Sequence, residues 1–386
     1  MLRLLIRSEI QPLNWNSFDK LFLKWNLIGT IIYLILWSSF EALIYKSGQI
    51  YDNIGLYWIF RQCIRSFDDI TDIINFFAIS TIISAPLTAA EKINQYSFYS
   101  IFGPIEASFH RGRFQCAGPF PHFIMMGVFW SSLLPLFYAK IKAQSHSIFF
   151  WTAIIAALIC VYFSAASTPI MTIASIVLFW KFYTYRANGK FFLWFTCFIL
   201  LVLHLIMKAP VWHLMSRVDI FGGSTGWHRY NLFNQFINHA SEWFFLGTKS
   251  TAHWDSSRQL LDITNQYILQ AVQGGAITLF LFIILLYNAV KITGKYSLLE
   301  DDLGKKIISW GVCVSLLGHT ITFFGVSYFG QILMLFTLTL AIVGFIHEET
   351  IKKQASHCSP LKLNNKTDWS RKKLTASAVM DINKND

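Results

Sequence analysis

The feature that most constrains this chain is a succession of apolar runs, each near membrane length, with the charge pushed into the connections between them. A helix needs about 20 apolar residues to cross the hydrocarbon core of a bilayer. Reading the sequence at that length places nine spans, at 27–44, 71–90, 120–139, 148–166, 169–184, 191–207, 266–290, 307–325 and 328–346. Composition agrees, because 54% of the 386 residues are hydrophobic and only 14% are charged, against about a quarter charged in a soluble domain. The expected fold is therefore all-α: a polytopic transmembrane helical bundle of about nine to ten spans. Many Trp and Tyr stand near the ends of the runs, where an interfacial belt would place them.

The net charge is +11. On a soluble chain this would raise nucleic acid as a partner; here lysines and arginines of cytoplasmic loops account for it, and no nucleic acid is expected. The six cysteines show neither a CxxC pair nor metal-ligand spacing, so neither a disulfide framework nor a zinc site is expected. No cleavable signal is expected, because the first run begins only after Asn26 and no small-residue cleavage site follows it.

Basic residues set the orientation. The tail 347–386 carries Lys352, Lys353, Lys362, Lys366, Arg371, Lys372, Lys373 and Lys384 and is expected to be cytoplasmic and disordered, apart from a membrane domain at 1–346. Counting backwards puts Lys291–Lys306, Lys181–Lys190 and Lys140–Lys142 on the same side. The segment 91–119 and a long, partly helical loop at 208–265 then face outward, to the periplasm. The start does not fit this parity, since Arg3, Arg7, Lys20 and Lys24 fall outside. A re-entrant or partly crossing helix at 50–67 would repair the count, as would spans missing before residue 1.

The outward loop is where chemistry is expected. It holds His213, His228, His239 and His253, five basic residues including Arg217 and Arg229, and Asp219, Glu242, Asp255 and Asp262. Positive charge against the usual trend points to an anionic ligand, or simply to a solvated loop with salt bridges. Within the loop, Gly222, Gly223 and Gly226 surround Ser224 and Thr225, one of which would cap a following helix. Backbone N–H groups converging at a helix start form a phosphate-binding geometry, and Arg229 in the first turn would add a bidentate contact. Arg111 and Arg113 stand before the span that opens with Pro119 and Pro121. They either snorkel to lipid phosphates or reach a ligand. Asp262 is a candidate general base at the mouth of the span 266–290, although Asp262 or Thr264 would equally serve as its helix cap. Gln273-Gly274-Gly275 would allow close helix packing, and 164–169 (SAASTP) reads as a tight outward turn with a capped helix start.

The ordered set RGRFQCAGPFPHFIMMG (111–127), SAASTP (164–169), GGSTGWHRY (222–230), EWFFLGTKS (242–250) and DITNQYILQAVQGG (262–275) resembles the O-antigen ligase and polymerase superfamily of bacterial polysaccharide membrane proteins, in its exopolysaccharide-type branch, over roughly residues 30–346. The resemblance implies a metal-independent and cofactor-free glycosyltransferase of the bacterial inner (cytoplasmic) membrane, working on its periplasmic face. The donor would be an undecaprenyl-pyrophosphate-linked glycan, the surroundings membrane lipids, and the partners other polysaccharide-assembly proteins. Arg113 and Arg229 match the family pattern, with Arg111 and Arg217 as neighbours, and would hold the donor pyrophosphate. Gly222, Gly223 and Asn265 would support the site. Ligases carry a His immediately before the Asn that opens the late span; here that position is Thr264, before Asn265. The ligase-type base is thus missing, which leaves Asp262 or His228 as candidate catalytic groups and an inactive, shortened copy as an alternative. A transporter or flippase for lipid-linked sugars is the reading from another class. It would call for ionisable residues deep in several spans, for which Glu41, His204 and His319 are the main candidates.

Overall fold

The computed structural model describes residue 10 and residues 12–103, 108–110, 112–143, 148–217, 225–255 and 259–358. Helices dominate. They are α1 (Ser17–Trp37), α2 (Phe40–Ile50), α3 (Leu56–Cys63), α4 (Phe67–Asn94), α5 (Phe123–Ala143), α6 (Ile148–Ser164), α7 (Ser167–Lys181) and α8 (Gly189–Ile206). After them come α9 (Thr225–Asn238), α10 (Ala240–Trp243), α11 (Gln266–Leu299), α12 (Leu303–Thr322) and α13 (Gln331–Cys358). One short antiparallel hairpin, β1 (Ser108–His110) with β2 (Arg113–Gln115), pairs His110 with Arg113.

Among the described residues, six helical stretches are long and apolar enough to cross a membrane: Ser17–Trp37, Phe67–Asn94, Phe123–Ala143, Ser167–Ile206, Gln266–Leu299 and Gln331–Ala355. By length and composition this is a multi-pass membrane protein. The expected boundaries shift where local geometry intervenes. The run 27–44 is broken at Ser38, which is left-handed (φ 46°), and Ser39 then caps α2 through its side chain. α2 continues through a π-turn at Tyr51–Gly55 into α3, so helix extends from 40 to 63, over most of the segment 50–67 that was offered as a re-entrant or partly crossing helix. The stretch 167–206 bends through a 3-10 turn at Phe182–Asn188. α13 passes His347, the expected start of the tail, and runs to Cys358; residues 359–386 lie outside the described part.

The segment 40–63 returns alongside α1, and polar pairs hold it there. Asn53 Nδ2 donates to Asn26 Oδ1 (3.1 Å), Tyr57 stacks on Phe22, and Tyr57 Oη donates to Asp19 Oδ1 (2.6 Å). Arg61, 1% exposed, meets Asp19 at 3.1 Å and Glu348 of α13 at 3.4 Å. Asn16 Nδ2 donates to Gly344 O, and Ser17 hydrogen-bonds His347. The start of α1, the end of α3 and the end of α13 therefore share one end of the bundle, together with Glu300, which pairs with Lys353 at 2.6 Å. We call this end the base and the opposite end the crown. The start of α1 and the later turns of α13 thus lie at the same end of the bundle.

Burial is uneven among equally apolar helices. α5 packs against α6, α7 and α12, and 83% of its apolar window is buried. α8 has no buried residue. Gly311 of α12 makes the central contact possible, because a Cβ there would stand 2.8 Å from Ala139 Cβ and 3.0 Å from Pro135 O.

Candidate functional site

Four of the five motif segments meet at the crown. The first is the hairpin and the loop after it. Gly112 (φ 73°) turns the chain between β1 and β2. Arg113 is exposed, whereas 114–118 are buried. Glu91 of α4, itself fully buried, accepts from Ala117 N and Gly118 N, both at 3.0 Å, and Lys92 Nζ donates to Phe114 O at 2.5 Å. A carboxylate caps two backbone donors that would otherwise be orphaned. Burial, with Glu91 nearby, pushes the Cys116 thiol up to about 12, so this cysteine is a packing residue rather than a nucleophile.

The second segment is the turn between α6 and α7. Cys116 N donates to Phe163 O (3.1 Å) and Gln115 Nε2 to Ala165 O (3.3 Å). Ala165 is left-handed (φ 48°), as a tight turn requires. The expected side-chain cap is absent, since Ala166 occupies the N-cap and makes no side-chain hydrogen bond. Gly127 lets α5 press on this turn: a Cβ there would lie 2.5 Å from Pro169 Cγ and 2.6 Å from Ser164 Oγ.

Arg229 comes from the third. In the first turn of α9, its Nη2 donates to Thr168 Oγ1 at 2.7 Å, at the start of α7. Gly325 lies beside both groups, and a Cβ there would be 3.2 Å from Thr168 and 3.3 Å from the Arg229 guanidinium carbon. His228 precedes Arg229 in the same turn and is half-buried. The 3-10 turn Val211–Arg217 lies against α9, with Trp212 Nε1 reaching Asn234 and the His213 ring edge-on to Tyr230. The side chain of Arg217, all of Arg111, and Gly222, Gly223 and Ser224, where the phosphate cradle was expected, lie outside the described residues.

The fourth segment opens α11. Its cap is Asn265, not Asp262 or Thr264: Oδ1 accepts from Tyr267 N (2.9 Å) and Ile268 N (3.1 Å), while Nδ2 donates to Phe324 O (3.4 Å). Gln266 accepts from Tyr328 N (2.8 Å) and its own N–H donates to Phe323 O (2.9 Å). The reversal between α12 and α13 is thereby fixed to α11. Its far side touches the first segment, where Gln331 Nε2 donates to Pro119 O (3.0 Å) and the His122 ring meets Phe329. Arg229 thus flanks this reversal at Gly325, and the loop after Arg113 flanks it at Gly330 and Gln331. Asp262 is exposed on the connector before α11. Thr264 Oγ1 is buried without a hydrogen-bond partner among the described residues.

The remaining segment, 242–250, explains the double glycine. Gly274 and Gly275, expected to allow close helix packing, break α11 and admit the backbone of a loop. Gly275 is at φ 67°, ψ −175°, and a Cβ there would lie 2.3 Å from Phe245 O. The loop satisfies the interrupted ladder: Thr248 N donates to Val272 O (2.9 Å) and Ala276 N to Phe244 O (2.8 Å). Gly247 (φ 88°) is needed too, because a Cβ would meet Val272 O at 2.2 Å. Behind this junction Leu232, Phe236, Trp243, Trp254 and Ile268 form a small core, with Phe236 and Trp243 stacked at 4.1 Å. Glu242 binds His253 (2.7 Å) and Trp254 Nε1 (3.0 Å). Partial burial opposes its charge, yet those hydrogen bonds and the two nearby imidazoles hold it below the ordinary glutamate value.

Sequence reasoning missed Glu91 and Gly325, and gave Gln266 no role although it lies within the segment 262–275. Glu91 carried one available signal, a carboxylate near the end of an apolar run. Gly325 carried none. No protein-family model and no curated protein sequence matches this chain.

Proposed function

We propose that this protein is a membrane glycosyltransferase of cell-surface polysaccharide assembly, with its crown on the periplasmic face of a bacterial inner membrane. One observation carries the reading: segments far apart in sequence, at 113–122, 164–169, 225–230 and 262–266, converge around Arg229, Thr168 and the 323–331 reversal. These are the segments that resemble the O-antigen ligase and polymerase superfamily. Their meeting supports a single site for a glycan on undecaprenyl pyrophosphate.

In this reading Arg229 and Arg113 grip the diphosphate. The acceptor hydroxyl oxygen attacks the anomeric carbon, the bond from that carbon to the diphosphate oxygen breaks, and the departing diphosphate gains negative charge that the guanidinium groups stabilise. The hydroxyl proton passes to a base, for which His228, next to Arg229, and Asp262, exposed at the mouth of α11, are the candidates.

Arg229→Ala and Arg113→Ala each remove a charge-assisted contact worth about 1.5–3 kcal/mol, or roughly ten- to a hundredfold in rate. The expected result is loss of lipid-linked polymer while the protein still inserts; normal polymer from both variants rejects the diphosphate assignment. Asp262→Asn and His228→Gln, measured separately, identify the base, since only the true one slows turnover. Cysteines introduced at 225–229 should react with a reagent that cannot cross the membrane, and protection of all of them in intact cells would put the crown on the wrong side.

A further inference from the structure

At the base, away from the proposed glycan site, α1, α11 and α13 line a cavity of about 550 Å³ that is open to the surface. Lys20 and Lys24 line it from α1, Lys291 and Lys295 from α11, and His347 from α13. Each lysine pair is spaced i, i+4 on one helix face, a like-charge arrangement that destabilises a helix unless something answers it. A general excess of cytoplasmic lysine explains basic residues at this end, but not two pairs aimed at one hollow.

The nearby carboxylates do not answer it. Asp19, beside Lys20 in sequence, is 1% exposed and bound by Arg61 and Tyr57. Glu348, beside His347, pairs with Arg61 and Lys352, and Glu349 with Lys352. None of the four lysines makes an ion pair among the described residues. His347 adds a second observation: it hydrogen-bonds Ser17 through Nε2, and its Nδ1 is buried with no partner among the described residues. When Ser17 is the donor, Nδ1 carries a hydrogen still to be spent. The lining also includes Phe18, Leu21 and Ile292, so apolar and cationic groups share the cavity.

We propose that this cavity binds a phosphate-bearing amphiphile, the lysines surrounding the phosphate and the apolar residues receiving its hydrocarbon. Basic pockets between spanning helices hold anionic headgroups in this way. The proposal is independent of the glycosyltransferase reading.

The test uses the full-length protein in neutral detergent, with phosphatidylglycerol, phosphatidylcholine and inorganic phosphate as probes, read by native mass spectrometry and thermal unfolding. Phosphatidylglycerol should bind and raise the unfolding midpoint where phosphatidylcholine does not. Replacing Lys24, Lys291 and Lys295 with Gln should weaken it by roughly fivefold per lysine, and replacement with Arg should restore it. Inorganic phosphate giving the same lysine-dependent shift, with no gain from the lipid, would keep the phosphate site and assign it to a soluble ligand. Equal binding of both lipids, or undiminished phosphatidylglycerol binding by the Gln variant, overturns the proposal. If the Gln variant does not fold, competition between phosphate and phosphatidylglycerol on the unaltered protein decides, and its absence at both low and high salt is the overturning result.

Discussion

The two ends of the bundle solve the same problem, holding helices in register, by different chemistry. At the base the central junctions are ionic, Arg61 between Asp19 and Glu348 and Lys353 on Glu300, with Asn16 on the Gly344 carbonyl beside them. At the crown they are made by backbone groups and small residues: Asn265 capping α11, Glu91 receiving two loop amides, and glycines 127, 247, 275 and 325 standing where no Cβ fits comfortably. Buried ion pairs fix partners but cost desolvation, and they punish the loss of either member. Glycine and amide junctions bring backbones close and leave a polar, shapeable surface. The difference teaches that the base is built to clamp and the crown to host.

That contrast can be broken. Arg61→Leu should cost the most, about 3–5 kcal/mol, because it strands Asp19 in the interior; the double variant Arg61→Leu with Asp19→Leu should recover much of the loss in denaturant unfolding. If the single variant is as stable as the parent, the base is not a clamp. Gly275→Ala comes next. It forces a Cβ against Phe245 O at left-handed φ, for about 1–3 kcal/mol, and should loosen 243–248 before the rest of the chain in hydrogen exchange. Uniform loosening would deny that the loop is seated on the break. Arg229→Ala should cost at most about 1.5 kcal/mol of stability, the lower end for a charge-assisted hydrogen bond on a half-buried side chain, while its effect on polymer formation is large; a stability loss as big as that of Arg61→Leu would make Arg229 another clamp.

The smallest effect is one of pH. Glu300 is buried, which opposes its charge, but Lys353 and Tyr296 hydrogen-bond it and hold its pKa down to about 2, below the usual 4.5. A depressed carboxylate stabilises the fold above its unfolded value and loses that contribution as pH falls through the folded one. The unfolding midpoints of the parent and Glu300→Gln should therefore differ at neutral pH and converge between about pH 4.5 and 2. A constant gap across that window would remove Glu300 from the clamp.

How much of this was legible beforehand follows from where each signal resides. Hydropathy is local, so the long apolar helices could be read directly. The segment 40–63 could not, because Lys46, Asp52, Asn53 and Arg61 interrupt it, and two of their answering groups, Asp19 and Glu348, are far away in sequence. For the start of α11 the sequence offered Asp262 or Thr264 as caps, and the backbone geometry selects Asn265 instead. Gly274 and Gly275 announced unusual backbone, but the identity of what approaches them, the carbonyl of Phe245, belongs to tertiary structure. The convergence of the motifs at one end was implied by their order, whereas Glu91 and Gly325, which hold two of them in place, carry no motif at all.

The break in α11 also bears on biogenesis. Residues 243–248 leave the ribosome before α11 does, so the strap that completes the helix's hydrogen bonding already exists when the helix enters the lipid. Until the two meet, the Val272 carbonyl and the Ala276 N–H lack these partners, so the hydrogen bonding of α11 is complete only once the strap is seated.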